Sequence, residues 1–206
     1  LTYMLSILPN VQTRLEEEAT VDKVLAESPD IVIIATGSTI ATSSPSFYST
    51  TDLMNGKVNA NSVLVLDNDS TTEGASVIEL SLKQGAHTHW VTPAFFNGQN
   101  ITPPILLDYF KRLAGHPDLK AHAMEVPTEI KDGKATLFNI YMGTQEEIED
   151  IDAVVEVGIK KANNELYDAL KGKVGQLFII GDAAAPRDIA SALEDAVGLS
   201  KLVQGA

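Results

Sequence analysis

The chain has 206 residues, of which 44% are hydrophobic, and this is enough for one large or two small globular domains. It carries 28 acidic and 15 basic residues, a formal net charge of −13, so we expect neither nucleic acid nor an anionic membrane surface as a partner. The absence of cysteine excludes a disulfide scaffold, a redox-active thiol pair and a cysteine-held iron–sulfur cluster within this chain.

The sequence shows no sign of a membrane or export signal. No apolar run reaches the roughly 20 residues that a spanning helix needs, and no basic segment precedes an apolar stretch after Leu1. We therefore predict a cytoplasmic protein without a signal peptide. A start at Leu1 rather than at Met is typical of a piece of a longer protein.

The first part of the chain predicts short elements around one buried strand. Helical segments are predicted at 1–8, at 20–27 with Thr20 as a cap, and at 52–55, with a short strand at 11–15 and a loop at 39–48. Residues 30–35 form an almost continuous β-branched run. This pattern predicts a strand that is buried on both faces of a parallel sheet.

From Ser62 onward, strand and helix patterns alternate. Strands are predicted at 63–66, 86–92, 119–130, 134–141, 151–157 and 174–180, and helices at 72–84, 103–113, 163–170 and 187–203. Asp132 and Gly133 indicate a hairpin, and residues 146–150 a solvated acidic turn. The strand–turn–helix–strand unit at 62–92 resembles the mononucleotide-binding half of a Rossmann-like domain, so the predicted fold class is α/β with parallel sheets and helices on both faces.

Two predicted strands end in small residues, where a backbone can approach a ligand. One reads Pro-Asp-Ile-Val-Ile-Ile-Ala-Thr-Gly at 29–37, and the other Leu-Phe-Ile-Ile-Gly-Asp-Ala-Ala-Ala-Pro-Arg at 177–187. A carboxylate at 182 can accept hydrogen bonds from ribityl hydroxyls, and a helix that starts near Pro186 can point its N-terminus at a pyrophosphate. The predicted cofactor-binding residues are Ala35, Thr36, Gly37, Gly181, Asp182, Ala183, Pro186 and Arg187. An ordinary tight turn at 35–37 and a helix cap at Asp182 are the alternatives.

Together these segments resemble the two late dinucleotide-contacting turns of two-domain flavoproteins. Residues 181–187 narrow the resemblance to the C-terminal portion of the trimethylamine dehydrogenase and 2,4-dienoyl-CoA reductase family, which are NADH:flavin oxidoreductases. The resemblance implies an FAD/NAD(P)-binding type of fold that is incomplete at the N-terminus. Residues 1–49 and 161–206 would be the remnant of an FAD- or ADP-binding domain, and 50–160 an inserted NAD(P)-binding-like domain.

The resemblance also implies partners and cofactors beyond this chain. FMN and an iron–sulfur cluster are expected in an N-terminal TIM-barrel part of the same protein, with an electron-transfer protein as acceptor and a homo-oligomeric assembly. This portion would bind an adenine dinucleotide or ADP and would contain no catalytic residue, so we expect the isolated chain to be inactive.

The sequence departs from the family at both glycine-rich turns. In the family, a Gly-x-Gly-x-x-Gly motif normally opens the FAD- or ADP-binding domain. This motif does not occur in the chain. In the family, a glycine-rich turn opens the inserted domain. The corresponding turn of this chain contains Asp67 and Asp69, and its only glycine is Gly74. Carboxylates repel a pyrophosphate and side chains block its close approach, so we do not expect NAD(P) to bind here. This departure is typical of the amine-dehydrogenase branch.

Two other functions remain open. Residues 63–71 resemble the first motif of haloacid-dehalogenase-type, Mg²⁺-dependent phosphatases, with Asp67 as nucleophile, Asp69 as acid/base and Asp182 as a metal ligand. A non-catalytic scaffold or docking domain is the other alternative. His87 and His89 share a strand face, but no third ligand is apparent, so no metal site is predicted.

Overall fold

A computed structural model of the chain describes residues 10–204. The helices are α1 (Val21–Ala26), α2 (Thr50–Met54), α3 (Thr72–Lys83), α4 (Pro103–Leu113), α5 (Glu165–Leu170) and α6 (Ile189–Gln204). The strands are β1 (Ile31–Ile34), β2 (Ser38–Ile40), β3 (Tyr48–Ser49), β4 (Ser62–Asp67), β5 (His87–Thr92), β6 (Leu119–Ala123), β7 (Glu125–Lys131), β8 (Lys134–Asn139), β9 (Gln145–Ile148), β10 (Ala153–Val157), β11 (Lys160–Ala162) and β12 (Gln176–Ile179). The helix predicted at 1–8 lies outside the described residues. Within 10–204, no helix has both the length and the apolar character needed to cross a membrane.

The described residues form two compact units. One combines the segment up to Ser38 with the segment from Ala162 onward, and the other is Thr39–Lys161. The two-stranded sheet of β2 and β11 contains both points at which the chain passes from one unit to the other. β3 belongs to the main sheet of the second unit.

The second unit is built on a parallel sheet in the order β3-β10-β4-β5-β6. Its central strand β4 is buried from Val63 to Asp67, because both of its faces are covered. Val63 and Val65 pack in one cluster with residues of α3, and Leu64 and Leu66 pack in another with residues of β8 and β9. The predicted α/β class with parallel sheets is confirmed.

The strand predicted at 119–130 is in fact two strands. Met124 has a positive φ of 61° and separates β6, which joins the parallel sheet, from β7, which pairs with β8 in an antiparallel sheet. The predicted hairpin at Asp132 and Gly133 is confirmed. The acidic turn predicted at 146–150 is wrong in part, since β9 pairs with β8 and buries Ile148.

The first unit contains the parallel pair of β1 and β12, with a small core that includes residues from α1 and α5. Val32 and Ile34 are buried, but Ile33 between them is 47% exposed. The prediction that 30–35 is a strand is therefore confirmed, whereas its predicted burial on both faces is wrong. Residues 11–15, predicted as a strand, adopt no regular structure.

Candidate functional site

The structure brings together the two turns that the sequence singled out. In the parallel ladder of the first unit, Ile34 lies opposite Ile179, and the ladder continues with the Ile180 amide, which donates to the Ile34 carbonyl at 3.0 Å. The segments 35–37 and 181–187 therefore leave neighbouring strands at the same edge. This is the carboxyl edge of a parallel pair, which is where α/β folds bind ligands.

Asp182 is held in place by both of its carboxylate oxygens. The Ser38 hydroxyl donates to Oδ2 at 3.0 Å, and the Arg187 amide donates to Oδ1 at 3.1 Å. Asp182 is half-buried, and a carboxylate has about four lone-pair positions, so two acceptor positions remain for a ligand. Ser38 was not among the predicted site residues, because only the pairing of β1 with β12 brings it to Asp182.

Asp195 in α6 fixes the same turn from its other side. Its Oδ2 accepts the Gly181 amide at 3.0 Å and also the Arg187 guanidinium. Gly181 has a φ of 62°, a left-handed conformation that suits a residue without Cβ. Sequence reasoning did not assign Asp195 to the site, since it lies 14 positions from Gly181 and only the folded turn joins them.

The turn after β1 is tied to the segment that precedes α5. The Thr36 hydroxyl donates to the Asn163 carbonyl, and the Asn163 side-chain amide donates to the Thr36 carbonyl at 3.3 Å. The Asn163 backbone amide donates to the Gly37 carbonyl at 3.0 Å. Gly37 has a φ of 74°, and no described atom lies within 4 Å of where its Cβ would stand. The backbone at Gly37 is therefore open to close approach.

The region after Asp182 differs from the prediction. Residues 181–183 form a 3₁₀ turn, and α6 begins at Ile189 instead of near Pro186. The Asp188 carboxylate accepts the Ser191 amide at 2.7 Å, and this backbone hydrogen bond lowers the pKa of Asp188. Because an anionic side chain already caps this helix, the predicted role of its N-terminus towards a pyrophosphate is not supported.

The other predicted residues of this loop are not equally accessible. Ala183 is fully buried and packs in the core of the first unit with Val32, Ile34 and Leu170. Pro186 is half-buried, whereas Arg187, like Ala35 and Thr36 in the other turn, is exposed. Ala183 therefore contributes packing under the turn, and the exposed residues are the ones that a ligand can reach.

In the second unit, the turn after β4 is filled by its own side chains. Asp67 is fully buried, and it accepts the Trp90 indole N–H at 2.8 Å and the Ser70 amide at 2.9 Å. Burial, together with the charge of Asp69, raises the pKa of Asp67 to about 7. The carboxylate also occupies the space in front of Gly74, where a Cβ would stand 2.3 Å from Asp67 Oδ2.

This geometry gives no support to the phosphatase alternative. A nucleophile must reach its substrate, but Asp67 has no exposed surface. Asp69 accepts a hydrogen bond from the Thr71 hydroxyl at 3.0 Å. Asp182 belongs to the other unit, where it accepts a hydrogen bond from the Ser38 hydroxyl. The three aspartates are each engaged in holding local turns.

The fold of the chain is similar to that of flavin-dependent enzymes of known structure. It matches the 2.1 Å structure of histamine dehydrogenase from Rhizobium sp. 4-9 with a TM-score of 0.79 and 24% identity over 94% of this chain and 34% of that one. It matches 6-hydroxypseudooxynicotine amine oxidase from Pseudomonas geniculata N1 with a TM-score of 0.80 and 22% identity over 94% of this chain and 32% of that one. Both are enzymes of the trimethylamine dehydrogenase family, so the resemblance stated from the sequence is confirmed at the level of the fold.

A comparison of sequences finds a match over a shorter stretch of the chain. The chain is 35% identical over 82 residues to a metal reductase from Desulforamulus reducens, which covers 38% of this chain and 12% of that protein. No protein-family model matches the chain. The chain thus spans about a third of the length of the histamine dehydrogenase and the amine oxidase, and it aligns with their C-terminal part.

Proposed function

We propose that the chain is the C-terminal nucleotide-binding portion of a flavin-dependent oxidoreductase that resembles the amine dehydrogenases and enoate reductases. It would bind FAD or ADP through the two adjoining turns of the first unit. The observation that carries this proposal is the meeting of segments 35–37 and 181–187 at one strand edge, with the Asp182 carboxylate between them. The fold shared with the two amine-oxidising enzymes supports it.

The residues at these turns fit a nucleotide with ribose or ribityl hydroxyls. Asp182 keeps free acceptor positions for a hydroxyl donor, and the open backbone at Gly37 permits close approach. Ala35 and Thr36 are exposed beside it, and Arg187 is exposed on the second turn. When bound, the nucleotide would supply redox chemistry as FAD, or a structural anchor as ADP, whereas these residues only bind and orient it.

We further propose that the second unit does not bind NAD(P). A pyrophosphate needs glycines and free amides at the turn after the first strand. Here Asp67 fills the space beside Gly74, and the Ser70 amide already donates to Asp67. The domain assignment follows, with the first unit as the remnant of an FAD- or ADP-binding domain and the second as a degenerate NAD(P)-binding-like insert.

The remaining parts of the proposed enzyme would lie outside these residues. By the resemblance, an N-terminal TIM barrel would hold FMN and an iron–sulfur cluster, and an electron-transfer protein would accept the electrons. We also propose a homo-oligomer in the cytoplasm. On this proposal the 206-residue chain alone shows no dehydrogenase turnover, because the described residues hold the nucleotide rather than the reacting centre.

The test is the nucleotide content of the complete polypeptide that the gene encodes. Purified protein is denatured, and the released nucleotides are separated by chromatography and identified by mass. We expect about one FAD or ADP for each chain in addition to any FMN. We expect Asp182→Ala to weaken the affinity for this nucleotide at least about tenfold, measured by rebinding to the nucleotide-free protein, because a charge-assisted hydrogen bond to a ligand contributes roughly 1.5–3 kcal/mol.

Asp168→Ala is the matched control, since Asp168 lies in the same unit but is exposed and paired with Lys171. It should leave the nucleotide content unchanged. An affinity of Asp182→Ala equal to that of the unchanged protein would contradict the site assignment. A protein without any adenine nucleotide would contradict the proposed function and would favour a scaffold role.

A further inference from the structure

The second unit contains a cluster of one imidazole and two carboxylates that the nucleotide-binding proposal does not use. His122 stands near the end of β6, Glu125 begins β7, and Glu146 lies on β9. His122 Nδ1 is 3.4 Å from Glu125 Oε2 and 3.6 Å from Glu146 Oε2. One ligand atom from each of the three residues lies within 4.8 Å of the other two.

The path of the backbone produces this convergence. Met124, with its φ of 61°, turns the chain between His122 and Glu125, so that consecutive strands leave in different sheets. Hairpin pairing then brings β9 beside β8, and with it Glu146. The cluster therefore joins the last strand of the parallel sheet to the antiparallel sheet.

One carboxylate oxygen of the cluster is buried without a hydrogen-bond donor among the described residues. Glu125 Oε2 has almost no solvent-accessible surface and no hydrogen-bond partner among the described residues, and the His122 Nδ1 atom 3.4 Å away neutralises its charge only when the imidazole is protonated. The His122 side chain itself is only 7% exposed. Buried carboxylate oxygens are normally hydrogen-bonded, ion-paired or bound to a metal, because an unpaired one is costly. A cation between these atoms would meet that requirement.

The separations fit a tetrahedral ion. Ligands at about 2.0–2.2 Å from a tetrahedral centre are separated from one another by roughly 3.3–3.6 Å. The two nitrogen–oxygen distances, 3.4 and 3.6 Å, agree with such a tetrahedral edge and are long for hydrogen bonds. We propose that His122 Nδ1, Glu125 and Glu146 bind a divalent first-row transition-metal ion, best represented by zinc, which ties β6 to the β7-β8-β9 sheet.

The surroundings suit an ion of this kind. The other ring nitrogen of His122, Nε2, is 3.0 Å from Nδ1 of His89, and the two rings stack with centroids 5.2 Å apart. Histidine ligands usually have such a second partner, which orients the ring. The Glu146 side chain is 56% exposed, so an ion can reach the cluster from solvent and keep a water in the fourth position.

The experiment uses the 206-residue chain without an affinity tag, after treatment with a chelator. Zn²⁺ is titrated by calorimetry, and Co²⁺ is added in a second series to record its visible absorption. We expect one ion for each chain and the intense bands of tetrahedral Co²⁺. Glu125→Gln and Glu146→Gln should each weaken Zn²⁺ binding at least about tenfold, and His89→Phe should weaken it about 10–100-fold while keeping tetrahedral Co²⁺ bands.

Glu147→Gln is the matched control, because Glu147 is the next residue of β9 and contacts Lys134 at 3.4 Å instead of the cluster. It should bind Zn²⁺ as the unchanged chain does. Since Glu146 is largely exposed, its variant should fold, which circular dichroism checks. Absence of saturable binding, or an affinity that Glu125→Gln and Glu146→Gln leave unchanged, would overturn the proposal. This outcome is independent of the nucleotide site, which lies in the other unit.

Discussion

At the residue scale, Asp67 stabilises the turn after β4 and fills the space in which a phosphate would bind. Its carboxylate is fully buried, and it holds the turn through the Ser70 amide and the sheet through the Trp90 indole. A pKa raised to about 7, mainly by burial, means that the folded protein binds this proton more tightly than the unfolded chain does. The residue that removes the phosphate-binding space is thus also a source of pH-dependent stability.

We predict that Asp67 makes the second unit less stable as the pH rises from about 4 to about 7. The contribution is fully present below the unfolded pKa of about 3.9 and is lost as the pH passes the folded value, with a total of the order of 4 kcal/mol. Asp67→Asn should remove this part of the slope, because an amide does not titrate. Urea unfolding between about pH 4.5 and about pH 8 measures the effect.

Asp132→Asn serves as the control, because Asp132 is exposed in the hairpin turn and asparagine tolerates its φ of 50°. It should keep the slope of the unchanged chain. If Asp67→Asn and Asp132→Asn show the same pH dependence of the free energy of unfolding, burial of Asp67 does not have the proposed effect.

At the element scale, α3 contains a glycine that ordinary helix propensity would replace. Alanine in a helix interior is normally more stable than glycine by about 0.5–1 kcal/mol. At Gly74, however, a Cβ would stand 2.3 Å from Asp67 Oδ2 and 2.4 Å from its Cγ. The close approach of α3 to the end of β4 therefore requires glycine at this position.

We predict that Gly74→Ala lowers the free energy of unfolding by roughly 1–3 kcal/mol, as overpacking of a core does. Gly198→Ala in α6 is the matched substitution, because no described atom lies within 4 Å of the place that its Cβ would occupy. It should stabilise its helix by about 0.5–1 kcal/mol. Scanning calorimetry of thermal unfolding measures the change in stability of each variant. Equal changes for the two substitutions would refute the packing argument.

At the scale of the whole molecule, the first unit exposes an apolar stripe on its last helix. Ile189, Leu193 and Val197 follow one another at four-residue spacing in α6, and their exposed fractions are 81%, 62% and 53%. Residues at this spacing share one helix face. An uncovered apolar face of this kind favours association with another surface.

We predict that the 206-residue chain associates in a concentration-dependent way through this stripe. Leu193→Gln should shift the equilibrium towards the monomer by about tenfold, since it removes most of a buried leucine's transfer free energy of roughly 1.5–3 kcal/mol from each contact. Sedimentation velocity over a range of concentrations measures this shift. Glu194→Gln, the adjacent exposed position, should have little effect, and equal behaviour of the two variants would locate association elsewhere.

The sequence patterns were most informative where a strand is continuous and apolar. The runs at 30–35, 63–66 and 174–180 predicted β1, β4 and β12, and the small residues that follow them predicted the two turns that the structure brings together. They were least informative where backbone geometry intervenes. Nothing in the residues 119–130 marks the left-handed Met124, so one strand was predicted where two sheets meet.

The sequence by itself determined the fold class and its resemblance to flavin-dependent oxidoreductases, because buried strands and the turns after them leave local patterns of residue type. Only the tertiary structure decided which distant side chains meet. It joined Asp195 to Gly181, Asp67 to Trp90, and Glu146 to His122, contacts that depend on how turns, helices and strands pack rather than on spacing in the sequence. Burial, which raises the pKa of Asp67 and isolates Glu125 Oε2, is likewise a property of the packed chain.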